Sequence, residues 1–490
     1  MSIKIKDSRP HKRTKIVATV GPASDSEAVL RQMILAGMDM VRLNFSHSQP
    51  NYLIPLISRI RQVADEMKVP LAILGDLRGP RIRVGDIEGG SVALQTGGQL
   101  WLTPQTCLGT AGRVSVSYPH LAHDVQPGSL VLLDDGNIEL EVEQIAANGE
   151  VCCRVLQGDT LSSRRGLNLP GLRVSLPSIT AKDFADVDFA IAQDLDFLAL
   201  SFVQSADDVR QLKAYLAQKE ANIPIIAKIE RKNALDDIEA ITQEAYGVMV
   251  ARGDLALEMS IQEVPIAQKR IIAACRQAAV PVITATQMLE SMIEMPKPTR
   301  AEATDVANAI LDGTDALMLS GETAIGKHPA EAIATMAAIA RATEQAWFTG
   351  KLPGPPALNP PEEVEATVAY AGYVVARTLS ARAIVAYTAS GATARRVVCH
   401  RPRRPVLALS ANPYTQRRLA LSWGIQSALT DFITNTDEMV EIGTQQAQSC
   451  GLAGPGDRVV ILAGTPPYFG SGRTNTLKVE EIPPAEVQRD

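Results

Sequence analysis

One pattern runs through the first two-thirds of this chain: a short apolar run rich in β-formers, then a longer stretch of helical character, then the same again. The runs cover residues 14–21, 38–46, 71–77, 197–203, 224–230, 247–255, 281–288 and 316–322. Val, Ile and Leu occupy nearly every position in them, as in strands buried on both faces. The intervening stretches 26–36, 206–219, 266–279 and 298–312 suit amphipathic helices. Strand–helix alternation predicts a parallel sheet with crossover helices. Eight units are the count of a (β/α)₈ barrel. An open, doubly wound sheet is the competing architecture.

One unit is interrupted. Between the third and fourth runs lie over a hundred residues of different texture, with Gly-Gly pairs at 89–90 and 97–98, Asp135-Gly136 and Asn148-Gly149 separating short alternating runs. Asp-Gly and Asn-Gly between β-type runs signal hairpins. Residues 81–176 therefore read as a small β-barrel domain inserted into a loop of the larger barrel, with Pro80 and the stretch 169–177 as hinges. Five prolines in the nine residues from Pro353 mark a linker, assigned to 346–361. The apolar runs 383–386, 406–410 and 458–463 then predict a C-terminal α/β domain over 362–490, leaving 1–80 and 177–345 for the barrel. Three domains suit 490 residues at roughly 100–200 per domain.

Composition excludes several classes of function. The net charge is -6, and no basic stripe of the kind nucleic acid requires runs through the chain. The dense basic run is Arg395, Arg396, Arg401, Arg403 and Arg404, read either as a solvated helix face or as a phosphate-binding or subunit-contact patch. No segment approaches the ~18 apolar residues of a membrane span, and the basic N-terminus lacks the apolar core of a secretory signal. The chain reads as cytoplasmic. The six cysteines form no CxxC pair and read as core filler, and the six histidines show no zinc spacing.

In such a barrel the active site lies at the C-terminal ends of the strands. Those ends carry Arg42, Asn44 and Ser46, Asp76, Lys228 and Glu230, Arg252 and Asp254, Thr286 and Gln287, and Ser320 and Glu322. A lone polar residue there is ordinarily a helix cap or a solvated loop residue; a whole ring of them points to a site. Glu230 and Asp254 on consecutive strands suit Mg²⁺, which takes one or two carboxylates plus water and substrate oxygens. Lys228 and Glu230 alternate by two and share one side of their strand. A cation beside an ammonium group marks a place for a phosphoryl or enolate oxygen; a structural Lys–Glu ion pair is the plain alternative. Gly253 permits close backbone approach, and the Thr286 hydroxyl is placed to relay a proton.

These residues carry a resemblance. VRLNFSH (41–47), GDLRGPRIR (75–83), AKIE (227–230), MVARGDL (249–255), TATQMLESM (284–292) and PTRAEATDVANAILDGTDALMLSGETA (298–324) resemble pyruvate kinase, in order and over essentially the whole chain. The resemblance implies transfer of a phosphoryl group from phosphoenolpyruvate to ADP, giving pyruvate and ATP, with Mg²⁺ or Mn²⁺ held by Glu230 and Asp254. It implies that Arg42 grips the substrate phosphate and Lys228 stabilises the group in transit. Gly253, Asp254, Thr286 and Ser320 contact the rest of the substrate, and Thr286 serves its protonation. Asn44, Phe45, Ser46, His47, Arg83 and Lys182 line the nucleotide side under a closing lid. A homotetramer is the family's usual assembly, and the phosphohistidine-like extra domain of some bacterial relatives is not expected here.

Two departures bear on metal use. Relatives that need K⁺ hold it with residues matching Asn44, Ser46, Asp76 and the carbonyl at 77, with Thr or Ser at 77 and Glu at 81; here those are Leu77 and Arg81. This resembles the K⁺-independent branch, in which the Arg81 guanidinium replaces the monovalent ion. The other reading turns Arg81 to solvent and keeps the ion. Ala256 stands where the family usually has Gly, a change expected to be tolerated. TASGAT (388–393) resembles the effector-phosphate loop through Thr388, Ser390, Gly391 and Thr393, and Gly470, Ser471, Gly472 and Arg473 resemble a second effector loop. Ala389 and Ala392 replace the Lys and Arg of many relatives. That favours a sugar monophosphate over fructose 1,6-bisphosphate, or a loop that binds nothing. A Mg²⁺-dependent 2-keto-acid aldolase or lyase, and a non-catalytic metabolite sensor, are the alternatives; the lid and Lys228 argue against the first, and the intact constellation against the second.

Overall fold

The computed structural model describes residues 11–46, 49–172, 174–433, 435–464 and 473–483. Eight parallel strands close into a barrel: β1 (Lys15–Thr19), β2 (Met40–Asn44), β3 (Ala72–Asp76), β4 (Phe197–Leu200), β5 (Ile225–Ile229), β6 (Gly247–Ala251), β7 (Val282–Ala285) and β8 (Ala316–Leu319). Each lies beside the next in sequence, and β8 closes on β1 with Lys15 opposite Ala316. The open-sheet alternative is thereby excluded. Alternation sorts the side chains. Val17, Met40, Leu74, Phe197, Ile226, Met249, Ile283 and Met318 fill the barrel, while Ile16, Val41, Ile73 and Leu198 pack outward against the helices.

Two predicted strands turn into helices at their functional ends. The run 247–255 stops being a strand at Ala251, and Arg252–Glu258 forms a helix with Asp254 in its first turn. A strand needs only to reach the barrel rim, and a carboxylate in the first helical turn is favourable. Ala256 lies in this helix, where alanine is a better helix former than glycine. In the same way β8 ends at Leu319, and Gly321–Ala324 turns helically.

The chain between β3 and the helix Ala181–Ala192 builds the inserted domain. Its strands pair as a six-stranded sheet and a two-stranded ribbon around one core, with one short helix, Leu121–Asp124, that the all-β reading lacked. The helix Pro329–Phe348 extends into the segment assigned to the linker. The C-terminal domain is a five-stranded sheet, four strands parallel and the last, Thr476–Glu481, antiparallel at the edge. Among the described residues no helix is long and apolar enough to cross a membrane. Cys152, Cys153, Cys275 and Cys399 are buried as expected, whereas Cys107 is half-buried and Cys450 exposed.

The C-terminal domain closes the bottom of the barrel. Ala420 and Leu421 join Tyr246 in the barrel's interior cluster. Arg401 does the polar work of this junction. Its guanidinium lies 3.1 Å from Asp315, bonds the Gly313 carbonyl, and stands 5.1 Å from the Trp423 ring. Arg395 lies 4.2 Å over the Tyr246 ring. The basic run is therefore no solvated face as a whole; its buried members lock two domains, which spacing alone does not reveal.

Arg401 and Asp315 side chains are only 3% and 6% exposed. Removing one partner of such a pair leaves a buried charge and costs about 3–5 kcal/mol. Arg401→Met is expected to lower the urea midpoint and to separate the barrel and C-terminal unfolding steps, followed by Trp423 fluorescence. An unchanged single transition would refute the locking role.

Candidate active site

Barrel closure brings the polar strand ends into one ring. Arg42 comes from β2, Asp76 ends β3, Lys228 lies in β5 with Glu230 just beyond it, Asp254 opens the helix after β6, and Thr286 follows β7. Lys228 Nζ lies 3.3 Å from Asp76 Oδ1 and 2.8 Å from Glu230 Oε1, and donates to Ser201 Oγ at 2.7 Å. Arg42 Nε donates to Asp76 Oδ2 at 2.6 Å, and its Nη1 donates to Thr19 Oγ1 at 3.0 Å. Glu230 Oε2 accepts the Phe202 N–H at 2.6 Å.

The charges explain the protonation states. Burial opposes the Lys228 ammonium, but Asp76 and then Glu230 outweigh it, and its pKa lies above the ordinary lysine value. Burial likewise opposes the Asp76 carboxylate, yet Lys228 and Arg42 hold its pKa below the usual range. Glu230 moves up: burial raises it, Lys228 pulls it back, and the Asp254 carboxylate pushes it up again. Two cations, Arg42 and Lys228, thus face three carboxylates, Asp76, Glu230 and Asp254. A divalent cation at Glu230 and Asp254 would relieve that surplus of negative charge. Among the described residues no group of three or more His, Cys, Asp and Glu is placed to hold a metal. A two-carboxylate site fits Mg²⁺, which keeps several waters and substrate oxygens.

Thr286 is held in an unusual shape. Its φ is 67° and that of Gln287 is 53°, left-handed values costly for a β-branched residue. Arg252 stabilises the turn: its guanidinium donates to the Thr286 carbonyl at 2.7 Å and the Gln287 carbonyl at 3.3 Å, while Nη1 donates to Asp305 at 2.8 Å. Thr286 Oγ1 accepts the Gly253 N–H at 2.9 Å and donates to the Ala285 carbonyl at 2.7 Å. The Gly253 amide, Asp254 and Thr286 thus share one corner. A Cβ on Gly253 would meet nothing nearer than Thr286 Oγ1 at 3.6 Å, so packing does not demand glycine there. Just after β8, the Ser320 N–H donates to Glu322 Oε2 at 2.7 Å, and Glu322 Oε1 accepts the Leu289 N–H at 3.1 Å. Glu322 is buried and ties two rim loops together.

The residues expected on the nucleotide side divide. Asn44 Oδ1 accepts the Ser46 N–H at 3.0 Å, which shapes their loop. The Phe45 ring does not face a ligand. It packs edge-on against Phe189, 5.8 Å between centroids, and over Gly75, where a Cβ would meet it at 2.7 Å. Only its backbone reaches the rim: Lys182 Nζ donates to the Phe45 carbonyl at 3.3 Å and pairs with Asp186. Arg83 donates to the Arg164 carbonyl at 2.8 Å, and burial, Arg81 and Arg78 lower its pKa. The inserted domain comes close here. A Cβ on Gly136, at the tip of its Asp135-Gly136 turn, would lie 3.2 Å from Leu257 of the Asp254 helix. His47 lies outside the described residues.

The monovalent-cation set is largely committed elsewhere. Asp76 serves Arg42 and Lys228, and the Leu77 carbonyl accepts Ser201 Oγ at 2.7 Å. Arg81 is exposed and makes no contact with Asn44, Ser46 or Asp76. The structure therefore does not seat Arg81 in the cation's place. Thr19 and Ser201 were not anticipated, although each closes one of the two strand runs from which no site residue was drawn. Arg252 was noted but given no task, because its partners, the Thr286 and Gln287 carbonyls and Asp305, lie far from it in the chain.

In the C-terminal domain, Thr388, Thr393 and Arg473 line a cavity of about 260 Å³, with Asp431 and Phe432 in its wall. Gly391 takes φ 87° and donates its N–H to Thr388 Oγ1 at 2.8 Å, and the Thr393 and Thr474 hydroxyls are 2.7 Å apart. Ser390 and Gly391 shape the loop without lining the cavity. Gly470, Ser471 and Gly472 lie outside the described residues.

Comparison with known proteins agrees with this architecture. The family model for the pyruvate kinase barrel domain matches residues 11–333, and that for the pyruvate kinase alpha/beta domain matches residues 366–480. Pyruvate kinase 2 of a Synechocystis strain is 44% identical over 474 residues, 96% of this chain and 79% of that protein. Pyruvate kinase of Geobacillus stearothermophilus is 45% identical over 477 residues, 96% of this chain and 80% of that protein. The crystal structure of a pyruvate kinase from Cryptosporidium parvum superposes with a TM-score of 0.89 at 34% identity, covering 96% of each chain. With the closed barrel, the inserted β-domain and the ring of charged strand ends, these matches place the chain in the pyruvate kinase family, phosphotransferases that convert phosphoenolpyruvate and ADP to pyruvate and ATP.

Proposed function

We propose that Lys228 is the centre of phosphoryl transfer in this chain. The observation that carries this reading is its buried ammonium, fixed between Asp76 and Glu230 with a raised pKa. A lysine so held stays charged at neutral pH and does not supply the proton of the second step. It offers permanent positive charge to the phosphoryl oxygens as the P–O bond of phosphoenolpyruvate breaks and a bond to the ADP β-phosphate oxygen forms. Arg42 holds the phosphate from the other side of Asp76. The Gly253 and Asp254 amides and Thr286 hold the carboxylate, with Ser320 at the rim. The departing enolate takes a proton at its methylene carbon through a water beside Thr286. Pyruvate kinases generally need Mg²⁺; Glu230 and Asp254 would hold it, and when bound it neutralises phosphate charge and orients the oxygens. Asn44, Ser46, Arg83 and Lys182 border the ADP side, and the inserted domain excludes water on closing.

The same reading makes K⁺ dispensable. Asp76 already faces two fixed cations, and Arg81, exposed near Arg83, adds positive charge at the lid hinge. The cavity at Thr388, Thr393 and Arg473 suits a single phosphate, because Asp431 in its wall would repel a second; a sugar monophosphate activator is the ligand proposed. A homotetramer is proposed as the assembly. Ile261 and Ile266, 71% and 69% exposed on the barrel surface, are candidates for burial in it.

Three results are expected. Pyruvate should form from phosphoenolpyruvate, ADP and Mg²⁺ in buffer free of K⁺, Na⁺ and NH₄⁺, and Arg81→Glu should acquire a K⁺ requirement; a wild type active only with K⁺ would sink the Arg81 argument while leaving the enzyme intact. Lys228→Met should lower kcat on the order of 10²–10³-fold or more, as loss of a transition-state donor does, and a near-normal kcat would remove Lys228 from the centre. Arg252→Ala should release the Thr286 turn and cost about 10²-fold in kcat, the scale of a 1 Å misplacement. It should change the affinity for phosphoenolpyruvate little, with partial recovery in Arg252→Lys.

A further inference from the structure

Just outside the ring of strand ends lies another buried cation. Arg231 directly follows Glu230, and its backbone is extended, with φ -126° and ψ 148°. The alternation of β5 therefore carries its side chain to the opposite side from Lys228 and Glu230. Arg231 is 6% exposed, and its Nε and Nη1 are buried without a hydrogen-bond partner among the described residues. A guanidinium withdrawn so far from water is costly unless neighbouring groups answer its charge. Two groups do.

The first is the Phe202 ring, whose centre lies 5.6 Å from the guanidinium carbon. Phe202 takes φ 54°, a left-handed value uncommon for a bulky residue. In that shape its N–H donates to Glu230 Oε2 at 2.6 Å. Attraction between guanidinium and ring thus bears on the residue that orients the Glu230 carboxylate. The second is Glu258, 5% exposed. Burial raises its pKa, Arg231 and then the Gly171 N–H pull it back, and Asp254 and Glu230 push it up again. Glu258 ends the helix whose first turn carries Asp254. One guanidinium therefore bears on both segments that bring a carboxylate to the rim. A cation held by two carboxylates from different elements depends on their separation, and outer partners of the ligands set it.

We infer that Arg231 is a positioning residue that sets the separation of Glu230 and Asp254, through Phe202 on one side and Glu258 on the other, and so tunes the affinity for the divalent cation; this rests on the reading of those two carboxylates as the Mg²⁺ site. Arg231 itself touches neither the metal nor the substrate. Its positive charge is spent behind the two ligands, where it holds the Glu258 end of one helix against the start of another, Lys232–Asp236, which Arg231 precedes.

The test is Mn²⁺ binding to the full chain without substrate, followed by the electron paramagnetic resonance of free Mn²⁺. The wild type is compared with Arg231→Met, Arg231→Lys and Arg231→Met/Glu258→Gln, and with Glu230→Gln as the control for the metal site. In Arg231→Met the Kd for Mn²⁺ is expected to rise about 10–100-fold, the scale set by outer partners of metal ligands. Arg231→Lys should recover part of the loss. The Mg²⁺ concentration giving half the maximal rate should rise by a similar factor, while kcat at saturating Mg²⁺ largely returns. The double variant removes both buried charges together, so no unpaired carboxylate is left to unfold the chain. It should bind Mn²⁺ no more weakly than Arg231→Met, since two residues acting as one unit are not additive. Unchanged Mn²⁺ affinity in Arg231→Met and in the double variant, with the metal lost in Glu230→Gln, would overturn the inference and leave the metal site standing. A lowered urea midpoint without any change in metal affinity would overturn it too, making Arg231 a stabilising residue only. Unchanged binding in Glu230→Gln would overturn the metal reading itself, and the role of Arg231 with it.

Discussion

Everything at the mouth of the barrel is arranged around one buried ammonium group. Lys228 is largely withdrawn from water and is held charged by Asp76 and Glu230, 3.3 and 2.8 Å away. Removing one partner from such a group is costly, so the three residues hold one another in place. They come from β3 and β5, which are not neighbours; β4 lies between them and contributes Ser201. Only a closed sheet brings these ends together. The surplus carboxylate that results suits a divalent cation, and the fixed cations suit a phosphoryl group. Binding and chemistry therefore follow from a single electrostatic arrangement.

The barrel uses carboxylates at both ends for different ends. Asp196 and Asp315 stand at the N-terminal side of β4 and β8, where Arg417 and Arg401 of the C-terminal domain bind them. Leu421 enters the apolar interior beside them. Asp76, Glu230 and Asp254 stand at the other side, around Lys228. The same residue type thus serves cohesion at the bottom and builds the candidate site at the top, as expected for strands that point one way.

Legibility from sequence varied with the physical origin of each feature. The barrel was legible because a strand buried on both faces must be apolar throughout, and eight such runs leave few architectures. The site residues were legible where a charged side chain interrupts the end of an apolar run, as at Arg42, Asp76, Lys228 and Glu230. Ser201 and Thr19 are small and neutral, and their importance lies wholly in which charged groups they touch. Phe45 misled because its neighbours in the motif face the rim while its own ring faces Gly75 and Phe189. The arginines 395–404 looked alike in sequence, yet one is locked on Asp315, one covers a tyrosine ring, and others line a cavity.

The sequence by itself determined the strand and helix order, the inserted β-rich segment, the proline-rich junction and the family, because periodicity, turn residues and long motifs are local properties of the chain. Tertiary structure decided where each strand stopped, that Asp254 opens a helix, that Thr286 is forced into a left-handed turn held by Arg252, and that Asp76 belongs to Arg42 and Lys228. Those outcomes depend on distances between residues far apart in the chain. Such distances exist only once the barrel has closed.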